Sequence, residues 1–325
     1  MRGEKIRLVI ILGPTASGKT ELAVRLAERF GGEIVNADSM QVYRGMDIGT
    51  AKPPPELLSR VPHHLMDLSD PDGDFSASDF RREASRVIAD IHGRGRNVFL
   101  VGGTGLYIKA LLRGLADTPG GGGAIRKQLE EEAGTLGGSA LLARLAEVDP
   151  ETAGRLHPND LVRIIRALEV WLQTGSPISR FRSDHRFGGD YYDCLKIGIR
   201  LERGELYQRI EQRVDRMISE GLVREVAGLL SAGFTPGLKP LRSIGYKEIC
   251  AHLAGEMPLD DAVRLIKRDS RRYAKRQLTW LARDDEIKWV EYPDEFDTIC
   301  NYVIEFFAQR RGSCRKRHST FRTSI

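Results

Sequence analysis

Short apolar runs alternate with amphipathic stretches through the first hundred residues of the chain. Residues 8–12 form a continuous apolar run, as a strand buried on both faces does, and the mainly apolar stretches 33–37 and 97–101 are interpreted as a second and a third strand. The stretches at 22–30 and 76–91 instead repeat their apolar residues at helical spacing. This alternation predicts an α/β fold in which helices flank a parallel sheet and ligands bind at the carboxyl ends of its strands.

The pattern changes after residue 117, and the chain is predicted to divide into a core and an insertion. Residues 119–190 contain helical stretches without a clear strand, and the glycines from Gly120 to Gly123 suit a flexible joint at their start. We interpret 119–190 as an inserted all-helical subdomain. Residues 1–118 and 191–309 together form the predicted α/β core.

The second part of the core begins with a predicted strand over residues 195–200. A long helical region over 203–233 follows, and it is interrupted at Gly221. Pro258 then introduces another helix that is predicted to extend to Arg283.

The composition argues against a membrane protein and against a zinc-binding or disulfide-bonded one. No apolar run approaches the ~20 residues of a membrane-spanning helix, and the four cysteines lie far apart without a C-x-x-C pair. We therefore expect a reduced, soluble, cytoplasmic protein without a zinc site. We also expect a monomer, because no stretch suggests an interface between subunits.

The net charge of +5 is concentrated at the end of the sequence. Residues 310–325 contain six Lys or Arg and no acidic residue, so they carry +6 and the remainder carries 5 − 6 = −1. We expect this basic tail to be disordered. Because the tail accounts for the basic balance, a nucleic-acid partner has to be argued from local clusters instead.

The most specific motif lies between the first predicted strand and the first predicted helix. It has the form G-x-x-x-x-G-K-[ST], whose backbone amides and helix N-terminus cradle phosphate groups. Lys19 would bring a full charge to a terminal phosphate, and Thr20 a hydroxyl ligand for Mg²⁺. The motif predicts a P-loop NTPase-like fold that holds a di- or triphosphate. Its residues are Gly13, Pro14, Thr15, Ala16, Ser17, Gly18, Lys19 and Thr20.

Two further groups are expected at the same edge of the sheet. Asp38 follows the second predicted strand, and the third leads into Gly102-Gly103-Thr104-Gly105, which offers amides and a hydroxyl but no carboxylate. P-loop kinases and NTPases usually place an Asp after such a strand, so this sequence departs from their pattern. The residues alone leave three roles open for Asp38: an outer ligand of Mg²⁺, a helix or turn cap, or a general base.

A basic cluster occupies the last predicted helix of the core. Between Arg264 and Arg283 eight Lys or Arg residues accompany a single acid, Asp269, whereas solvated helix faces normally mix both signs. Tyr273 and Trp280 add aromatic surfaces on which bases stack. Further basic residues, Arg163, Arg166, Arg242 and Lys247, lie in neighbouring segments. The cluster favours binding to RNA phosphates.

Taken together, these motifs resemble the tRNA dimethylallyltransferase family. The resemblance runs in order from about residue 6 to residue 292, and the combination of motifs is highly specific. The matching segments are Gly13–Thr20, Asp38–Tyr43, Met46–Pro53, Pro62–His64, Val101–Thr104, Ser243–Tyr246 and Ala274–Leu281. The basic tail and the glycine run at Gly120–Gly123 are not part of the family pattern.

The resemblance implies an activity and the residues that support it. It implies transfer of a dimethylallyl group from dimethylallyl diphosphate to N6 of the adenosine on the 3′ side of the tRNA anticodon, at position 37. Asp38 matches the general base of the family, and Thr104 matches a residue near the bridging oxygen of the diphosphate. The P-loop would hold the diphosphate, with Mg²⁺ on Thr20 and a further contact from Arg213.

The resemblance also implies a set of tRNA contacts. The target adenine must leave the anticodon-loop stack to reach the diphosphate, and the residues that would read it are Asp38, Ser39, Met40, Gln41 and Thr104. The helical insertion would clasp the anticodon stem-loop. The implied contacts to the rest of the RNA are Arg126, Val162, Arg163, Ile164, Ile165, Arg166, Arg242, Ser243, Ile244, Gly245, Tyr246, Lys247, Lys275, Arg276, Gln277, Trp280 and Arg283.

Three other functions compete with this interpretation. A small-molecule or nucleotide kinase is supported by the P-loop alone and opposed by the missing strand-end Asp. A prenyltransferase for free adenine nucleotides would need neither the insertion nor the Arg264–Arg283 cluster. A non-catalytic RNA-binding module would leave Lys19, Thr20, Asp38 and Thr104 without a purpose.

Overall fold

Six strands form one parallel sheet in the part of the chain that the structure describes. That structure is a computed structural model, and it describes residues 5–185 and 191–308, so the predicted tail 310–325 lies outside it. The strand order is β3-β2-β4-β1-β5-β6, which confirms the predicted α/β fold. The strands are β1 (Ile6–Leu12), β2 (Gly32–Asn36), β3 (His63–His64), β4 (Asn97–Val101), β5 (Tyr192–Arg200) and β6 (Lys288–Glu291).

Helices connect the strands and cover the sheet. Leu22 and Leu26 of the first helix pack with Val9 and Phe99 of the sheet, and the last helix contributes Val303 to the same apolar cluster. The helices in the described residues are α1 (Lys19–Arg29), α2 (Pro55–Leu58), α3 (Ala77–Gly93), α4 (Gly105–Arg113), α5 (Gly123–Val148), α6 (Pro150–Ala153), α7 (Leu161–Thr174), α8 (Ile178–His185), α9 (Arg203–Glu220), α10 (Leu222–Ser231), α11 (Tyr246–Leu253), α12 (Leu259–Leu281) and α13 (Phe296–Ala308).

The sequence predicted most of these elements. The interruption at Gly221 is real, because Gly221 adopts φ 108 and separates α9 from α10. Apolar periodicity did not reveal the two-residue strand β3, the edge strand β6 or helix α13. Among the described residues, no helix combines the length and apolar character needed to cross a membrane.

The described chain divides into two compact units. The first contains the residues up to Leu111 and those from Tyr191 onward, and it carries the whole sheet. The second begins at Leu112, and helices α5 to α8 lie within it. The predicted insertion begins at residue 119, seven residues after the observed start at Leu112.

The second unit has its own apolar core. Leu129, Leu141 and Leu145 of α5 pack with Ile164 and Leu168 of α7. Gly137 interrupts α5 with φ 79. This interruption divides α5 into two helical segments.

Glu33 of β2 lies at the centre of an ion-pair cluster. Its side chain is only 4% exposed, and it accepts a bidentate pair of hydrogen bonds from Arg94. His64 Nε2 lies 2.8 Å from Glu33 Oε2, and Arg96 Nε lies 3.9 Å from Glu33 Oε1. The bonds from Arg94, with a smaller contribution from His64, outweigh the effect of burial and lower the pKa of Glu33 to about 2.

This depressed pKa predicts an acid-sensitive contribution to stability. The unfolded carboxyl takes up a proton near its ordinary pKa of 4.5, whereas the folded one resists protonation until the pH is about 2. The stabilisation is therefore fully present above pH ~5 and is lost as the pH falls toward 2. We expect Glu33→Gln to flatten the acid limb of the free energy of unfolding, as measured by urea titrations between pH 2.5 and 6. Glu56→Gln, at an exposed position of α2, is the matched control, and an equally steep limb in the Glu33 variant would contradict the prediction.

Candidate active site

The P-loop motif forms the connection between β1 and α1. Gly18 takes the left-handed conformation with φ 88 immediately before Lys19 begins the helix. The first N–H groups of a helix have no partner within it and attract anions. The Ser17 hydroxyl is buried and makes no hydrogen bond in the described part of the chain. These features suit a loop that closes around a phosphate group.

Asp38 and Thr104 lie on neighbouring loops, because β2 and β4 pair side by side with Asn36 opposite Val101. The Thr104 hydroxyl accepts a hydrogen bond from Ser39 N at 3.0 Å and lies 3.3 Å from Ser39 Oγ. Thr104 N also donates to Ala37 O at 3.3 Å. The two loops therefore hold each other in place.

The Asp38 carboxylate is oriented by its own loop. Met40 N donates to Asp38 Oδ1 at 2.9 Å, which closes a local turn. No other hydrogen bond to this carboxylate occurs within residues 5–185 and 191–308. One of its oxygens is therefore fixed, and the other is free to accept a proton from a ligand.

Two cations from distant parts of the chain act on this carboxylate. Burial, followed by the charge of Arg213, lowers the pKa of Lys19 to about 8, while Asp38 opposes the shift. Burial also lowers the pKa of Arg213, and Asp38 again opposes it. Lys19 Nζ donates to Pro14 O at 2.7 Å, and Arg213 Nη2 lies 3.5 Å from Thr50 O. The fold thus brings Lys19, Asp38 and Arg213 together, with an excess of positive charge that suits a diphosphate.

The side chains around the P-loop offer little for enclosing a metal ion by themselves. Among the described residues, no group of three or more His, Cys, Asp and Glu side chains is placed to do so. Thr20, one residue into α1, supplies a hydroxyl oxygen next to Lys19. Mg²⁺ commonly keeps several waters and binds through substrate phosphates. These residues therefore fit a Mg²⁺ that is held mainly by a bound diphosphate.

Helix α12 supports the site through three side chains on one face. Gln277 accepts a hydrogen bond from Thr15 N at 2.8 Å and donates to Gly103 O at 3.2 Å, so it joins the P-loop to the loop after β4. Trp280 packs on Gly105, where a Cβ would lie 2.5 Å from the indole ring. Burial and the Asp38 charge raise the pKa of Tyr273 to about 12. The amide of Gln277, which the resemblance assigned to tRNA, is therefore engaged by the protein itself.

The basic residues between Arg264 and Arg283, most of them in α12, fall into two groups. Several are neutralised: Lys267 pairs with Asp215 at 2.6 Å, and Arg271 pairs with Glu211 of α9 at 2.5 Å. The sequence segment itself contains one acid, but in the fold α9 adds the carboxylates of Asp215 and Glu211. The cluster is therefore less positively charged than its sequence indicates. The exposed residues without an ion pair in the described part of the chain are Lys275, Arg276 and Arg283.

The segment 242–247 is partly buried. Arg242 and Lys247 are exposed, and Lys247 Nζ lies 3.4 Å from Asp269. Ser243 Oγ donates to Pro240 O at 2.6 Å, and Ile244 is half-buried. Gly245 and Tyr246 are buried. Within this segment only Arg242 and Lys247 are exposed, so only these two side chains are placed to contact a bound RNA.

In the second unit the implied RNA contacts divide in the same way. Val162 and Arg163 at the start of α7 are 69% and 70% exposed. Ile164 and Ile165 are buried in the core of the unit. Arg166 pairs with the fully buried Glu169 at 2.7 Å and donates to Thr118 Oγ1 at 3.1 Å. Arg126 also lies 3.8 Å from Glu169.

The loop after Asp38 is held by Glu225 of α10, a residue that sequence reasoning missed. Gln41 Nε2 donates to Thr50 O at 3.1 Å and to Ala51 O at 3.0 Å, so this predicted base-reading residue is held by the loop. Glu225 is the one acid on the mainly apolar helix α10. That placement is the feature of the sequence that could have singled it out as a functional residue.

Known proteins resemble this chain over nearly all of its length. A family model described as IPP transferase matches residues 41–284. A tRNA dimethylallyltransferase 2 of Geotalea uraniireducens is 70% identical over 305 residues, which cover 94% of this chain and 98% of that relative.

Solved structures agree in fold and sequence. The full-length tRNA isopentenylpyrophosphate transferase of Bacillus halodurans is 42% identical, with a TM-score of 0.69 and coverage of 93% of this chain and 97% of that one. A eukaryotic dimethylallyltransferase, described as acting on tRNA, is 29% identical, with a TM-score of 0.76 and coverage of 94% and 80%. Because the family model covers residues 41–284 and the Geotalea uraniireducens relative is 70% identical over 94% of the chain, the chain belongs to the IPP transferase family, the family of the tRNA dimethylallyltransferases.

Proposed function

We propose that this protein is a tRNA dimethylallyltransferase. It transfers the dimethylallyl group of dimethylallyl diphosphate to N6 of adenosine 37, beside the anticodon of tRNA. The new N6–C bond forms as the C–O bond to diphosphate breaks, and the N6 proton leaves the nucleophile. Family membership supports the reaction, and the observation that carries the assignment of residues is the meeting of Asp38 with Lys19 and Arg213.

The two cations and the P-loop bind the leaving group. Lys19 begins α1, and Arg213 reaches the site from α9. Both lie where burial makes an unpaired charge costly. A diphosphate would relieve that cost and gain two strong charge-assisted contacts. The same contacts strengthen as negative charge accumulates on the departing diphosphate.

Asp38 acts as the general base. Its Oδ1 is held by Met40 N at 2.9 Å, so the other oxygen can accept the N6 proton. General-base catalysis of this kind contributes about 10²–10⁴-fold. Thr104, whose hydroxyl is positioned by Ser39, stabilises charge at the bridging oxygen of the diphosphate.

Mg²⁺ is the cofactor that these residues suit. Thr20 would hold it through its hydroxyl, with diphosphate oxygens and water as the other ligands. When bound, it neutralises charge on the leaving group.

Exposed residues, most of them basic, bind the tRNA. In the first unit these are Arg242, Lys247, Lys275, Arg276 and Arg283. In the second unit Val162 and Arg163 are the exposed members of the implied set. The protein acts on tRNA as a monomer in the cytoplasm.

Asp38→Asn provides the first test of the proposal. Wild-type protein incubated with tRNA, dimethylallyl diphosphate and Mg²⁺ should yield an adenosine heavier by one dimethylallyl group, as measured by mass spectrometry of tRNA nucleosides. Asp38→Asn should lower the rate by about 10²–10⁴-fold while tRNA affinity stays near wild type, because phosphate contacts dominate that affinity. Asp70→Asn, at an exposed carboxylate paired with Arg44, is the matched control.

Each result has a distinct meaning. Unmodified tRNA together with ATP consumption on a small acceptor would return the kinase interpretation. Modification of free AMP but not of tRNA would identify a nucleotide prenyltransferase. Full activity of Asp38→Asn would remove Asp38 as the base without affecting the family assignment.

The pKa of Lys19 predicts how the reaction depends on pH. Since the protonated amine binds the diphosphate and its pKa is about 8, kcat/KM for dimethylallyl diphosphate should fall about tenfold per pH unit above that value. Arg213→Gln removes the repelling charge, so the fall should begin at higher pH, on a lower plateau. Arg209→Gln, one turn earlier in α9, should leave the midpoint unchanged. A profile that stays flat from pH 7 to 10 would contradict the role of Lys19.

A further inference from the structure

Glu225 of α10 binds a loop that lies 176 to 178 residues earlier in the chain. Its Oε2 accepts hydrogen bonds from Asp47 N at 2.9 Å and Ile48 N at 2.7 Å. Its Oε1 accepts one from Gly49 N at 3.1 Å and another from Tyr246 OH at 2.6 Å. Four donors therefore converge on one carboxylate. Three consecutive backbone N–H groups that point at one anion form a nest, a geometry that favours a full negative charge.

Tyr246 completes this anchor from a third element. Its side chain is fully buried, and burial together with the Glu225 charge raises the pKa of its hydroxyl, which therefore remains a donor. Gly49 packs directly on the Tyr246 ring, where a Cβ would lie 2.4 Å from a ring carbon. The anchor thus fixes the loop both by hydrogen bonds and by close packing.

The loop then presents its carbonyl groups to two residues of the site. Thr50 O accepts from Gln41 Nε2 at 3.1 Å and lies 3.5 Å from Arg213 Nη2. Ala51 O accepts from the same Gln41 amide at 3.0 Å. Arg213 is half-buried and burial lowers the pKa of its guanidinium, so a displaced carbonyl would leave that group poorly solvated and free to move. The position of residues 47–51 therefore sets where Arg213 and Gln41 point.

We propose that Glu225 is a positioning residue, which holds the 47–51 loop so that Arg213 meets the diphosphate and Gln41 meets the adenine. The role belongs to the carboxylate, because a Gln side chain would turn one acceptor into an N–H donor that faces backbone N–H groups. This inference rests on the proposed function for its kinetic consequence. Its structural consequence, the placement of Arg213, can be measured without any transfer reaction.

The test compares Glu225→Gln with wild type in two assays. Removing hydrogen bonds to a charged acceptor should lower kcat/KM for dimethylallyl diphosphate about 10–100-fold. It should also weaken the binding of inorganic diphosphate, measured by calorimetry without tRNA, by about tenfold. Glu220→Gln, at the exposed C-terminal end of α9, controls for the loss of a carboxylate nearby. Tyr246→Phe, which keeps the three backbone bonds, should show a smaller loss of about threefold in both assays.

A double-mutant cycle separates positioning from general destabilisation. If Glu225 acts through Arg213, Glu225→Gln should weaken diphosphate binding far less in an Arg213→Gln background than in wild type. Equal losses in both backgrounds would overturn the proposal, as would wild-type diphosphate binding in Glu225→Gln. If Glu225→Gln fails to fold, the same cycle with Tyr246→Phe decides the question.

The two proposals fail in different ways. Absence of prenylation by the wild-type protein would refute the proposed function, while the diphosphate cycle would still support or overturn the role of Glu225. Normal prenylation with additive effects would refute only the role of Glu225.

Discussion

The site depends on the parallel pairing of β4 between β1 and β2. This pairing sets the P-loop, Asp38 and Thr104 at one edge, because Ile11 and Asn36 both lie opposite Val101. Parallel strands end together, so three loops that are distant in sequence must share one small space. Any chemistry at this edge can draw on the amides of the P-loop, the carboxylate that follows β2 and the hydroxyl that follows β4.

Three glycines after β4 make this crowding possible. A Cβ at Gly102 would lie 2.3 Å from Ala37 O, one at Gly103 would lie 2.2 Å from Gln277 Nε2, and one at Gly105 would meet the Trp280 ring. The sequence predicts that this segment offers backbone amides to an anion. The structure gives a second reason for it: the missing side chains let β2 and α12 touch the loop. Helix α12 thereby bears on the phosphate site with one face and presents exposed cations to solvent.

Electrostatics determines which ligand the site favours. Lys19 and Arg213 are both half-buried, burial lowers the pKa of each, and the charge of Asp38 opposes only part of that shift. A bound diphosphate would complete the charge balance, so the proposed leaving group suits the site better than a transferred phosphoryl group, which requires a strand-end Asp. Glu225 and Tyr246 also influence the charge of this site, because they anchor the 47–51 loop. That loop supplies the Thr50 carbonyl next to the Arg213 guanidinium.

The sequence by itself determined the α/β class, the P-loop and the positions of Asp38 and Thr104, because apolar runs and glycine motifs are local signals. The strands β3 and β6 escaped it, since two and four residues carry no measurable periodicity. It also could not separate basic residues that have no ion pair within residues 5–185 and 191–308, such as Lys275, from those that α9 neutralises, such as Arg271. Only the tertiary structure decided those pairings and the hold of Glu225 on a loop 176 residues away. Such contacts depend on distance in space, and no pattern of neighbouring residues encodes that distance.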